Sequence, residues 1–379
     1  MSSAFPESGQ AQLEAVVGRI EPADRSWLDQ AKERQAILTK PPGSLGRLEE
    51  MAERVCAMQR TLAPRAERRR MVVCAGDHGV TAEGVNPYPA EVTAQMVANF
   101  CAGGAAINAM AKASGAELWV LDVGVARPIP GSEGTDLPGG ARFLSRRVRS
   151  GTGNFAREPA MTEAEARAAL GVGFEMAFQA AADGIEMIGL GDMGIGNTSA
   201  ASAVTAALTG LPAERVTGRG TGADDAMLAR KIKTISEAIA FHRPDPTDAL
   251  DILCKVGGLE IAALCGLVLG AAAARLIVVT DGVISTAASA LAVRFCPTAA
   301  DYLFAGHLSM EPAHRIQLEF IGTRPILELD MRLGEGTGGA LAMSIIGGAV
   351  RAFREMATFA GAGVSNRAEA QEPIKASAT

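Results

Sequence analysis

A chain of 379 residues, 48% of them hydrophobic, can bury a large core, enough for two domains, and is too apolar for a disordered segment. Its net charge of -6 leaves no basic field for a nucleic-acid backbone, and no Lys/Arg cluster interleaves with aromatics, so nucleic acid is excluded as an expected partner. Glycine, at 43 residues against a usual share of about 7%, is in excess and points to tight turns and close backbone approach.

The first residues carry an early glutamate, Glu7, and no basic segment followed by an apolar run, so no secretory signal is read and a cytoplasmic location is expected. Residues 10–62 show amphipathic helical patterning at 24–38 and 45–62, parted by the breaker Lys40-Pro41-Pro42-Gly43. Further on, six short β-branched or apolar runs predict strands at 71–75, 118–123, 185–190, 276–280, 302–305 and 326–329. Alanine-rich helical stretches separate them. One of these, the apolar run 261–274, stops at Arg275, short of the ~20 residues a membrane span needs, and reads as a buried helix.

Strands alternating with helices predict an α/β fold: a Rossmann-like, parallel six-stranded sheet with helices on both faces, built by right-handed crossovers over residues 66–345. The two chain ends, 1–65 and 346–379, are expected to pack together as a small helical domain, with the last dozen residues disordered. Six cysteines, Cys56, Cys74, Cys101, Cys254, Cys265 and Cys296, are scattered without a CxxC pair or a histidine at zinc-ligand spacing, so they read as buried free thiols. Asn197-Thr198-Ser199 spells a glycosylation sequon, a chance match in a chain without an export signal.

Polar, glycine-rich segments follow five of the six predicted strands. They are Ala75-Gly-Asp-His-Gly79, Gly189-Leu-Gly-Asp-Met-Gly-Ile-Gly196, Thr280-Asp-Gly282, Ala305-Gly-His-Leu-Ser309 and Arg332-Leu-Gly-Glu-Gly-Thr-Gly-Gly339. Ligands of open parallel sheets bind beyond the carboxyl ends of the strands, so these segments are expected to face one crevice. Two of them spell GxGxxG, at Gly189/Gly191/Gly194 and Gly334/Gly336/Gly339, but neither heads the sheet nor is followed by an acid closing the next strand. What remains is backbone N–H offered to an anion at a helix start, hence a phosphate on a mononucleotide. Gly218-Arg-Gly-Thr-Gly-Ala-Asp-Asp225 opens another helix, and Lys231, two turns on from Asp224, can supply a point charge to that phosphate. Asp77 with His78, Asp281 and His307 are expected to shape the crevice, while His242 and His314 read as structural.

Over nearly its whole length the chain resembles the nicotinate-nucleotide:dimethylbenzimidazole phosphoribosyltransferase family. The resemblance is carried by Lys40-Pro-Pro-Gly-Ser-Leu-Gly-Arg47, Ala75-Gly-Asp-His-Gly-Val80, Tyr88-Pro89 with Val92-Thr-Ala-Gln-Met96, and Asp192-Met-Gly-Ile-Gly-Asn-Thr198. It continues through Gly218–Asp225, Gly306-His-Leu-Ser-Met-Glu-Pro312 and Leu333-Gly-Glu-Gly-Thr-Gly-Gly-Ala340. It implies a homodimer whose partner subunit borders the active site, a catalytic base at Glu335, and Asp192 in support. It also implies a mononucleotide phosphate held by Gly194, Gly196, Asn197, Thr198, Gly220, Thr221, Gly222, Lys231, Ser309 and Gly336, and a base-binding wall with Tyr88, Gln95 and Leu333. One departure stands: the family commonly carries glutamate where this chain has Asp192, which keeps the charge but moves it back by one methylene.

The implied chemistry fits these residue types. Nicotinate leaves a cationic pyridinium linkage as a neutral ring and needs no general acid, and no pyrophosphate departs, which removes the usual reason for magnesium. No cofactor and no metal are therefore expected; one carboxylate near the acceptor's N–H suffices as base. Three other readings are carried: an NAD-type Rossmann oxidoreductase, from the two GxGxxG spellings; a phosphoribosyl-pyrophosphate-dependent transferase, from residues 276–286; and a non-catalytic nucleotide-binding protein.

Overall fold

The computed structural model describes residues 9–129, 139–220 and 222–365; Thr221 and the polar tail read as disordered lie outside them. The chain divides into two compact units, residues 1–22 with 67–344 and residues 23–66 with 345–379.

The first unit is built on a seven-stranded sheet whose neighbouring strands all run parallel. Its strands are β1 (Arg69–Gly76), β2 (Ala116–Gly124), β3 (Ala141–Ser145), β4 (Met187–Met193), β5 (Ile277–Thr280), β6 (Leu303–His307) and β7 (Pro325–Leu327), in the spatial order 3-2-1-4-5-6-7. The expected count of six is corrected by β3. That strand, Ala-Arg-Phe-Leu-Ser, sits on the edge, pairs among the described residues with β2 alone and alternates buried with half-buried positions, so it lacks the continuous apolar run that marks its neighbours. In β1 every residue from Arg70 to Gly76 is buried; since successive side chains point to opposite faces, both faces of the sheet are covered.

The predicted buried helix is Leu259–Ala273, buried along almost its whole length and laid against the helix Glu163–Ala182. The two backbones approach closely because each presents glycine: a Cβ on Gly266 would lie 2.1 Å from the Leu170 carbonyl oxygen, and one on Gly173 would lie 2.1 Å from that of Ala263. Helix Gly9–Val17 also packs on Glu163–Ala182, burying Leu13 and Val16, so residues 9–22 fall with this unit rather than with the small unit assigned to 1–65. Among the described residues no helix is long and apolar enough to cross a membrane.

The second unit contains the helices Arg25–Ile37 and Arg47–Gln59, and the division between units falls within the helix Thr337–Glu355. Ala31, Ala52, Cys56 and Phe353 form a small core with Leu62 against it. The breaker at Lys40 is a buried ion pair: Lys40 Nζ lies 2.8 Å from Glu49 Oε1, and Glu49 also accepts the N–H groups of Gly43 and Leu45.

Candidate active site

Where the strand order reverses, between β1 and β4, chains leaving the sheet diverge and open a crevice at its carboxyl edge. A cavity of about 390 Å³ lies at this edge, walled by Asp192–Thr198 from the end of β4 onward, Gly282–Ile284 after β5, His307 at the end of β6 with Ser309 just beyond it, and Arg332–Glu335 after β7. Four of the five glycine-rich segments therefore meet. The fifth does not reach the wall: Asp77 and His78 are buried behind it, and their stretch of chain contributes Val85–Tyr88 instead.

Two groups of polar side chains share the cavity. In the first, Lys231 is drawn in from the helix Asp225–His242; its Nζ donates to Thr198 Oγ1 at 2.8 Å and to the Gly218 carbonyl at 3.3 Å. Burial pushes its pKa down to about 8, opposed by the charge of Glu311. Glu311, which the sequence reading passed over, is buried and accepts the Gly220 N–H at 2.8 Å, so it fixes the glycine-rich loop beside the lysine. Ser309 is held from behind: its N–H donates to His314 Nδ1 at 2.9 Å, and burial pushes the His314 pKa down to about 3, leaving a neutral ring that stays an acceptor.

The second group is acidic. Glu335 stands at φ 64°, in the left-handed region, between Gly334 at 87° and Gly336 at 97°. Its carboxylate is buried and accepts the Ile107 N–H at 3.1 Å, at the start of the helix Ala106–Ala113. Burial raises its pKa, the Ile107 bond opposes this, and the charge of Asp281 adds to the rise. Asp192 accepts a hydrogen bond from Asn197 Nδ2 at 3.0 Å on one oxygen and, among the described residues, has no hydrogen-bond partner on the other. Its pKa lies well above the ordinary carboxylate range, through burial first and then the charges of Asp281 and Glu260. Around both groups runs an apolar wall that includes Val85, Pro87, Tyr88, Val92, Met96 and Leu333. Among the described residues no cluster of three or more His, Cys, Asp or Glu side chains is placed to hold a metal ion.

This geometry has known counterparts. A family model described as phosphoribosyltransferase matches residues 20–364. The nicotinate-nucleotide–dimethylbenzimidazole phosphoribosyltransferase of Chloroflexus aggregans is 49% identical over 94% of this chain and 99% of its own; that of Geobacter sulfurreducens is 50% identical over 93% and 98%. A crystal structure of the enzyme of that name from Thermus thermophilus matches with a TM-score of 0.83 at 49% identity, covering 90% of this chain and 99% of that one. The chain belongs to the nicotinate-nucleotide:dimethylbenzimidazole phosphoribosyltransferase family.

Set against the residues that the family resemblance singled out, the cavity wall holds Glu335, Asp192, Gly194, Gly196, Asn197, Thr198, Gly220, Lys231, Ser309, Tyr88 and Leu333, and it also holds His307, one of the residues expected to shape the crevice. Thr221 lies outside the described residues. Three others stand elsewhere. Gln95 is exposed, because Val92 and Met96, one helical turn apart, take the cavity-facing stripe of the helix Val92–Ala102. Gly222 is exposed at φ 122° and closes a turn onto the Arg219 carbonyl. Gly336 is not free to meet a phosphate: its N–H donates to Asp281 Oδ2 at 3.1 Å, and the N–H groups of Gly338 and Gly339 go to Asp281 Oδ1. A buried carboxylate of the chain itself already occupies the anion site that the second GxGxxG spelling suggested. In the first spelling, Gly189 and Gly191 lie inside β4, where a Cβ would meet Met71 Sδ and the Glu335 carbonyl oxygen, so these glycines serve packing. His78 pairs with Glu260, 2.7 Å from Nε2 to Oε1; burial disfavours its charged form, and Glu260 outweighs this and raises the pKa. Neither Glu260 nor Ile107 gave any sequence signal, since each acts across more than 180 residues.

Proposed function

We propose that this chain transfers the phosphoribosyl group of nicotinate mononucleotide to 5,6-dimethylbenzimidazole, giving alpha-ribazole 5'-phosphate and nicotinate, a step of cobalamin nucleotide-loop assembly. The observation that carries the reading is the pairing, in one cavity with an apolar wall, of the Lys231–Thr198 group and the buried carboxylate of Glu335. Lys231, Thr198, Ser309, Asn197 and the backbone at Gly194, Gly196 and Gly220 hold the mononucleotide phosphate. Tyr88 and Leu333 border the acceptor ring together with Val92 and Met96.

In the reaction, one ring nitrogen of the benzimidazole forms a bond to the ribose anomeric carbon as the bond to the pyridinium nitrogen breaks. That electron pair returns to nicotinate, which departs neutral at the ring nitrogen. The proton on the other benzimidazole nitrogen passes to Glu335, whose proton affinity is raised by burial. Asp192 supports it with a second carboxylate on the same wall. No step requires a metal, because no pyrophosphate leaves and the leaving group needs no protonation. The enzyme works as a cytoplasmic homodimer, and its second unit serves as a small helical domain.

The test is chromatography of purified protein incubated with nicotinate mononucleotide and a panel of dimethylbenzimidazole, benzimidazole, adenine and a phenol. Nucleotide formed in step with released nicotinate supports the reading, and the order of rates gives the acceptor preference. Absence of any nucleotide product from the whole panel overturns it.

A further inference from the structure

Three consecutive left-handed residues, Gly334, Glu335 and Gly336, form an unfavourable turn for a loop left to itself, and the middle one is not glycine. Something must hold the turn. Glu335 itself contributes its bond to the Ile107 N–H, but that bond uses the carboxylate and does not fix the backbone that carries it. The backbone is fixed from the other side by Asp281, the first residue after β5, which is wholly buried. Its Oδ2 accepts the Gly336 N–H at 3.1 Å, and its Oδ1 accepts those of Gly338 at 2.7 Å and Gly339 at 3.0 Å, where the helix Thr337–Glu355 begins. His307, whose Nδ1 lies 3.4 Å from Oδ1, closes over Gly338, where a Cβ would fall 2.0 Å from that nitrogen. Asp281 does not line the cavity, so it has no direct access to substrate there.

We propose that Asp281 is the positioning residue for Glu335: by holding the amides of Gly336, Gly338 and Gly339 it fixes the left-handed turn that delivers the Glu335 carboxylate into the cavity. The proposal rests on Glu335 being the base of the reaction proposed above. Its geometry makes a selective substitution available. In Asp281→Asn, a single carboxamide oxygen can still serve Gly338 and Gly339, which share one acceptor, while the NH2 group faces the Gly336 N–H as donor against donor. The bond nearest Glu335 is lost and the cap on the helix is kept.

The experiment is a double-mutant cycle of Asp281→Asn and Glu335→Gln, with kcat and KM for nicotinate mononucleotide measured for all four proteins and folding checked by thermal melt. Expected is a fall in kcat of about 10²-fold for D281N, the cost of misplacing a catalytic group by about an ångström, with KM within about two-fold of the parent. In the Glu335→Gln background, the same substitution is expected to cost no more than about two-fold further, because the group it positions is already gone. Losses that multiply, or a D281N enzyme with the parent kcat, overturn the proposal. If Glu335→Gln alone keeps the parent kcat, it is the assignment of the base that fails, and the two failures are told apart. Should D281N not fold, Asp281→Ser, which removes the carboxylate and keeps one hydroxyl acceptor, is carried through the same cycle with the same outcomes read.

Discussion

At the scale of single residues, the proposed chemistry turns on two side chains whose burial disfavours the charged form of each. Glu335 is raised by burial and by the nearby charge of Asp281, with Asp192 and His307 on the same cavity wall, so it takes up its proton at a higher pH than a free glutamate as the pH falls. Lys231 is lowered by burial to about 8, so the free enzyme loses that positive charge as the pH rises past this value. A bell-shaped profile of kcat/KM for nicotinate mononucleotide is expected, its alkaline limb near pH 8; a flat profile between pH 7 and 10 contradicts the lysine's role. Substituting Glu335 by Gln removes the proposed base and leaves the Lys231–Thr198 group intact. Turnover is expected to drop about 10²–10⁴-fold while calorimetry still detects mononucleotide binding, and an unchanged kcat rejects the assignment.

Among the elements, the contact of Glu163–Ala182 with Leu259–Ala273 sets how closely a helix pair can lie under the sheet. Gly173 and Gly266 lie where a side chain would meet backbone of the facing helix, not a movable side-chain tip. Gly266→Ala is therefore expected to push the helices apart at a cost of about 1–3 kcal/mol, read as a lowered Tm in a thermal melt. The alanine's better intrinsic helix propensity, about 1 kcal/mol, works against this and does not outweigh a clash at 2.1 Å. A Tm equal to or above the parent's shows that the interface can relax, and that the glycines are not needed for close approach.

Over the whole molecule, the sheet order 3-2-1-4-5-6-7 places β1 and β4 at the centre and β3 and β7 at the edges. β1 pairs along its full length with β2 and from Arg69 to Ala75 with β4, while among the described residues β7 meets only β6 and β3 only β2. Native-state hydrogen exchange is expected to be slowest in β1 and β4 and measurably faster in β3 and β7; equal protection at centre and edge contradicts that ranking. The same order explains why the cavity sits where it does: the loops from β4, β5, β6 and β7 all leave the carboxyl edge on one side of the reversal, and chain from the β1 side supplies the apolar wall at Val85–Tyr88 and in Val92–Ala102.

Six of the strands, the parallel arrangement and the edge bearing the site were legible in the residues, because strands buried on both faces must be apolar throughout and turns must carry glycine. Edge strand β3 was not, since one neighbour imposes too little burial to leave a pattern. That Lys231, Asp192 and Glu335 would line the cavity could be read ahead of the structure, as charged residues set among glycines carry their signal locally. Which amides remained free could not: Gly336 reads as a phosphate ligand until Asp281, 55 residues earlier, is seen to hold its N–H. Glu260 behind His78, Ile107 behind Glu335 and Glu311 beside Lys231 belong with it. Each is a partner chosen by distance in space, and hydrogen bonds between remote segments leave no periodicity or spacing along a chain.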